Sequence, residues 1–304
     1  KYHFLAYAFA FFGMIAAFGI GNGVQSNSVA QVVSMELNIS QATVGVIIAI
    51  LVMLVILGGI KSIGKTAAKL VPAMSLIYIL GGLYIIGINI ELVPTVFWLI
   101  IDSAFSTTAA SGGFAGATVW GAIRYGVSRG VFSNEAGLGS SPIAHAAAKT
   151  NNPINQGSIS MLEPLIDTLI VCTITAFVIL ISQSWYMGYN GAALTTYAFD
   201  SAMPGIGKYI VIFGLVLFAF STIIGWSYYG EKCAEFLFGE KIILYYRILW
   251  VVVIPIGAAV ELNLIWLIAD IMNGLMALPN LIALLLLSPI IFKQTIKFKN
   301  NLKV

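Results

Sequence analysis

The chain has 304 residues, 60% of them hydrophobic and only 9% charged, with a mean hydropathy of +0.97 and a formal net charge of +3. A soluble domain carries roughly 25% charged residues, so a soluble globular fold is excluded. The apolar runs are long enough for membrane-crossing helices rather than barrel strands. Cys172 and Cys233 fall in or at the end of such runs and read as small core residues, with no disulfide or zinc spacing.

Eight spans are predicted, within one all-α membrane domain covering residues 1–304. The first runs from about Phe4 to Val33, the second Val44 to Ile60, and the third Ala67 to Ile88. The fourth, Pro94 to Tyr125, is broken at Ser111-Gly112-Gly113-Phe114-Ala115-Gly116, because glycine costs a helix about 1 kcal/mol relative to alanine. A break at bilayer depth is tolerated only where protein or a filled cavity satisfies the freed backbone. That makes it a candidate binding site; a close-packed small-residue face is the plainer alternative. The fifth span covers Ser158 to Ser182, the sixth Tyr209 to Tyr229, and the seventh Ile242 to Val260. The eighth, Leu264 to Phe292, is expected to be interrupted at Asn273-Gly274 and Pro279-Asn280. A connection near 126–155 and another near 188–207, the latter carrying a short surface helix or lid, join the spans. With eight spans, every basic residue except Lys208 falls on one side, so the positive-inside rule puts both termini in the cytoplasm. No cleavable leader is evident at Lys1, and the missing methionine suggests a fragment.

Polar residues inside the spans mark candidate chemistry. In the first helix, Asn22, Gln25 and Ser26 share a stripe at 100° per residue, either a cavity wall for a polar solute or a set of interhelical hydrogen bonds. In the sixth, Ser221 and Thr222 are either back-bonded to a carbonyl one turn earlier or, with that carbonyl, ligands of a cation. Trp226 lies on the face of Thr222, too deep for an interfacial belt, and is placed to wall a cavity. Glu163 and Asp167 form a like-charged pair that calls for Arg124 or Arg129, while Asp102 and Asp270 are further intramembrane carboxylates. His145 reads as a packing residue, and there is no metal-ligand, phosphate-loop or nucleic-acid pattern.

The segment from Arg129 to Ser140, RGVFSNEAGLGS, followed by Pro142-Ile143-Ala144-His145-Ala146-Ala147, resembles the alanine/glycine:cation symporters. Gly19-Ile20-Gly21-Asn22, Gln25-Ser26-Asn27-Ser28, Gly112 to Gly116, Gly274 to Ala277 and Pro279-Asn280-Leu281 extend the likeness across nearly the whole chain. The resemblance implies a leucine-transporter-like inverted-repeat bundle, of which these spans are core helices three to ten, with the first two core helices absent. It also implies sodium-coupled import of small neutral amino acids, alanine and glycine, across the cell membrane by alternating access, with the proton as the alternative coupling ion.

On that plan Phe218 (through its carbonyl), Ser221 and Thr222 bind sodium. Asn22, Gln25, Gly112, Gly113, Phe114 and Trp226 bind the substrate, the two aromatic rings limiting its size. No organic cofactor, enzymatic activity or nucleic-acid partner is expected, and oligomeric state is left open. The rivals are an intramembrane serine hydrolase using Ser140 or Ser141 with His145, a passive channel, and an inactive fragment of the symporter.

Overall fold

In the computed structural model, residues 2–105 and 119–301 are described. They form helices α1 (His3–Leu37), α2 (Gln41–Ile56), α3 (Gly59–Ile88), α4 (Val93–Phe105), α5 (Val119–Asn134), α6 (Ser141–His145), α7 (Pro153–Ile181), α8 (Gly191–Ala202), α9 (Gly207–Phe238), α10 (Ile242–Ala259) and α11 (Leu262–Asn301). No strand occurs among the described residues. Six of these helices are long and apolar enough to cross a membrane; α2 is apolar but shorter. Each predicted span has a helical counterpart, the fourth as α4 and α5 on either side of residues 106–118, and the connection near 188–207 contains α8.

Helix ends follow local chemistry. Ser40 caps α2, its Oγ accepting from the Thr43 amide at 3.1 Å, and Asn152 caps α7, its Oδ1 accepting from the Ile154 amide at 2.9 Å. Lys208 at the start of α9 pairs with Glu36 at the end of α1, 2.7 Å apart, so the two helices run antiparallel.

Two apolar clusters hold the bundle together, and α9 belongs to both. One joins α1, α2, α9, α10 and α11 around Ile20, Ile223, Ile224 and Trp250; the other joins α3, α7, α8 and α9 around Ile85, Val178 and Phe199. Glycines set how closely the helices approach, as small residues do within membranes. A Cβ at Gly230 of α9 would lie 1.8 Å from the Tyr246 hydroxyl of α10 and 2.9 Å from the Ala17 Cβ of α1. A Cβ at Gly257 would lie 2.8 Å from the Gly23 Cα. The large apolar side chains left on the outer faces, such as Leu285, Phe292 and Tyr245, need no protein partner in hydrocarbon.

Two expectations are corrected here. The eighth span is not interrupted: α11 runs unbroken for 40 residues with Pro279 and Pro289 inside it. One lost backbone bond per proline is tolerated, whereas ending a helix in hydrocarbon leaves a whole turn unpaired. Conversely, α1 is not uniformly α-helical, because Phe18–Gly23 forms a π-helical turn. Three glycines in FGIGNG weaken the α-helix there, and the wider i→i+5 turn takes over.

Candidate functional site

The π-turn of α1 carries Asn22, and Gln25, Ser26 and Asn27 follow it. Asn22 and Ser26 are both fully buried on the side of α10, and Gln25 is half-buried. Asn22 is fully buried and donates from Nδ2 to the Trp250 carbonyl of α10 at 2.9 Å; its Oδ1 has no partner among the described residues. Ser26, also buried, donates to the Gly23 carbonyl at 3.2 Å. Gln25 is half-buried, with Nε2 3.3 Å from the Ile20 carbonyl. Asn27 donates to the Gly257, Ala258 and Val260 carbonyls at 3.1, 3.3 and 2.7 Å. It thus satisfies the open C-terminal turn of α10. Gln25 is therefore the amide turned away from the helix contacts.

On α9 the three predicted cation ligands come together. Ser221 Oγ and Thr222 Oγ1 both donate to the Phe218 carbonyl, at 2.8 and 2.9 Å. The geometry satisfies the back-bonding alternative and also clusters three hard oxygens on one edge of the helix. Phe218, Ser221, Thr222 and Gly225 form a half-buried stripe. A Cβ added at Gly225 would meet no described atom within 4 Å. Among the described residues no group of three His, Cys, Asp or Glu is placed to hold a metal, so a cation here would rest on neutral oxygens. Hydroxyl and carbonyl oxygens suit a hard cation. The hydroxyls would have to rotate their protons off the Phe218 oxygen to receive it.

Trp226 is buried between two elements. A Cβ at Gly21 would lie 2.0 Å from the Trp226 Cβ, so α1 admits this ring only because it carries glycine there. Its indole Nε1 donates to Glu135 Oε1 at 2.7 Å, while Glu135 Oε2 accepts from Ser140 Oγ at 2.6 Å. Glu135 lies in the turn between α5 and α6, outside the six long apolar helices. Burial pushes its carboxyl up to about 7; the Ser140 hydroxyl and the Trp226 indole oppose the rise, and the charges of Glu163 and Asp167 add to it. Sequence reading assigned Glu135 no role. The available signal was Trp226 itself, since a buried indole N–H needs an acceptor.

The remaining polar residues are placed otherwise than expected. Arg129 does not reach Glu163 or Asp167; it pairs with Asp270 of α11 and lies over the Trp266 ring, 4.3 Å from its centroid. Glu163 accepts from Ser141 at 2.7 Å and sits 3.8 Å from His145 Nε2, and Asp167 accepts from Ser133 at 2.9 Å. Hydroxyl donors thus replace the expected arginine. Asp102 is exposed on α4. A cleft of about 660 Å³ is lined by Glu135, Ser141, His145, Gln156 and Glu163, and another of about 1110 Å³ by Arg124, Arg129, Trp266 and Asp270. Neither is lined by Gln25, Ser221, Thr222 or Trp226. Gly112, Gly113 and Phe114 lie outside the described residues. The hydrolase pairing is also absent, because Ser140 is bonded to Glu135 and His145 Nδ1 to Gln156 at 2.7 Å.

The comparisons agree with a transporter. The chain is 51% identical over 298 residues to the sodium/alanine symporter AgcS of Methanococcus maripaludis, covering 97% of this chain and 65% of that protein. It is 47% identical to an uncharacterized transporter of Haemophilus influenzae, covering 99% of this chain and 66% of the relative. It is 39% identical to the probable sodium/glutamine symporter GlnT of Bacillus subtilis, covering 91% and 58%. The chain therefore spans less than two thirds of the length of each of these relatives. The sequence profile of the sodium:alanine symporter family matches residues 1–304, and the chain belongs to that family of membrane transporters rather than to a family of enzymes.

Proposed function

We propose that this protein carries out sodium-coupled import of a small neutral amino acid, alanine or glycine, by alternating access in a leucine-transporter-like bundle. It lies in the cell membrane with both termini cytoplasmic. The observation that carries this reading is the convergence of the Ser221 and Thr222 hydroxyls on the Phe218 carbonyl, on a half-buried stripe of α9, in a chain of this family. Those three oxygens receive sodium. Gln25 on α1 meets the polar end of the substrate, and Asn22 backs that region by tying α1 to α10. The glycine-rich segment at Gly112 and Gly113 offers backbone groups, and Phe114 and Trp226 bound the side-chain volume. Substrate and cation binding together favour closure around the site, and the bundle then opens inward. The relatives named for alanine and for glutamine support coupled amino-acid transport while differing in side-chain size.

The test is uptake into proteoliposomes under an inward sodium gradient. Thr222→Val keeps the shape and removes one oxygen from a charged ligand, so the half-saturating sodium concentration rises about tenfold or more, roughly 1.4 kcal/mol. Ser221→Ala acts in the same direction, and substrate affinity at saturating sodium changes much less. An unchanged sodium dependence in the double variant leaves both hydroxyls as back-bonded helix residues. Uptake driven by a proton gradient without sodium overturns the choice of ion.

A further inference from the structure

We propose that Glu135 is a positioning residue, and that the turn between α5 and α6 serves to hold its carboxylate against the Trp226 indole and so sets how large a substrate side chain is accepted. The inference rests on the reading above that Trp226 walls the substrate site.

The turn is built for one placement of that carboxylate. Glu135 itself adopts a left-handed backbone, φ 54°, a conformation that non-glycine residues seldom take and that clusters at functional sites. Its neighbours hold it there. Asn134 Oδ1 accepts from the Ala136 amide at 2.9 Å, and Asn280 of α11 donates from Nδ2 to the Gly137 carbonyl, also at 2.9 Å. Gly137 and Gly139 take φ of 81° and 90°, and a Cβ at Gly139 would lie 2.7 Å from the Phe9 ring and 2.8 Å from the Asn280 Cγ. Between these glycines Leu138 is almost wholly buried. A strained backbone pinned at both flanks by side chains and close contacts is a fixed mount, not a spacer.

What it mounts is the tip of Trp226. The root of the ring is confined by Gly21, where α1 leaves no room for a Cβ, and its flank meets Tyr229, with ring centroids 5.4 Å apart. The Glu135 bond opposes the rotation that would swing the indole N–H away. A swung ring would leave the half-buried carboxylate with Ser140 as its one hydrogen-bond donor among the described residues. Neither protonation state releases the ring. A protonated Glu135 keeps one oxygen to accept from the indole, and its new hydroxyl donates to Ser140 Oγ. The charges of Glu163 and Asp167 on α7 raise the proton's affinity further but do not change this geometry, and His145 on α6 lies 3.8 Å from Glu163 rather than on Glu135.

The experiment measures leucine competition against alanine uptake in proteoliposomes, with the size filter read as the ratio of the two half-saturating concentrations. Glu135→Leu keeps bulk but offers no acceptor, and it should shift the ratio about tenfold towards leucine, within the range of one methylene's worth of discrimination. Glu135→Gln mimics the protonated acid. It should restore most of the selectivity, because its amide oxygen accepts from the indole and its amide donates to Ser140. In a Trp226→Phe background Glu135→Leu should have no further effect, since a residue acting only through the indole is silent once the indole is gone. Multiplying effects, a Gln variant as impaired as the Leu variant, or altered maximal rates at an unchanged ratio would each overturn the proposal.

If the Leu variant does not fold, Glu135→Asp decides. Its carboxylate is withdrawn by one methylene and should shift the ratio in the same direction, and an unchanged ratio refutes the role. A transport-free readout separates this idea from the function it rests on. In protein labelled with 5-fluorotryptophan, the fluorine resonance lost in Trp226→Phe should move in the Leu (or Asp) variant and stay in the Gln variant. That resonance reports the mount even if no alanine is carried, and a resonance indifferent to position 135 disposes of it.

Discussion

Gly225 separates the site from the scaffold. It sits on the half-buried stripe of α9, four residues past Ser221 and next to Trp226, and a methyl placed there meets no described atom within 4 Å. At Gly21 of α1, by contrast, a methyl would lie 2.0 Å from the Trp226 Cβ. For the fold, Gly225→Ala is therefore neutral or favourable, since it replaces glycine within a helix without strain, a gain of up to about 1 kcal/mol. That corresponds to a melting temperature unchanged or raised by roughly 2–4 °C. For the site the sign reverses. If the stripe bounds the substrate cavity, the methyl removes room for about one methylene, which changes binding by roughly 1–3 kcal/mol. The KM for alanine should then rise on the order of tenfold to a hundredfold, while glycine, with no side chain, should be affected least. Thermal unfolding in detergent and paired uptake of alanine and glycine into proteoliposomes measure both halves. An unchanged alanine KM with an intact melting temperature would show that the stripe does not face the substrate. A lowered melting temperature would mean that the space beside Gly225 is not open.

Two further outcomes follow from the packing. Glu231 of α9, 6% exposed, takes both Arg247 Nε at 2.6 Å and a terminal guanidinium nitrogen at 3.0 Å, so Glu231→Ala strands a largely buried arginine of α10. It should lower stability by roughly 3 kcal/mol or more, read from chemical unfolding in detergent; a loss under about 1 kcal/mol would mean that water already screens the pair. For topology, single cysteines at Lys65, Lys149 and Lys297 should react with an impermeant maleimide only from the cytoplasmic side, and one at Asp200 only from outside. Labelling of position 149 from outside would break the eight-span order.

The helices of this protein were legible before any coordinates. Hydrocarbon offers the backbone no partner, so a long apolar run must become a helix, and its length is counted from the residues at 1.5 Å each. The helical counterparts of the eight spans, α8 within the connection near 188–207 and the Ser221–Thr222–Phe218 grouping follow from that rule and from 3.6-residue spacing. The π-turn over Phe18–Gly23 was not legible, because three glycines announce a weakness without saying which way the chain relieves it. The breaker residues Asn273-Gly274 and Pro279-Asn280 did not act as expected, because hydrocarbon keeps α11 whole against local propensity. Partners were further from reach. Glu135 meets Trp226 across 91 positions, and Arg129 meets Asp270 across 141. The Trp250 Nε1 has no partner among the described residues, but a buried charge or indole N–H favours one, as Glu135 provides for Trp226. Which one it takes depends on the rotation and depth of helices packed within a glycine's width of each other, and only the assembled bundle specifies those.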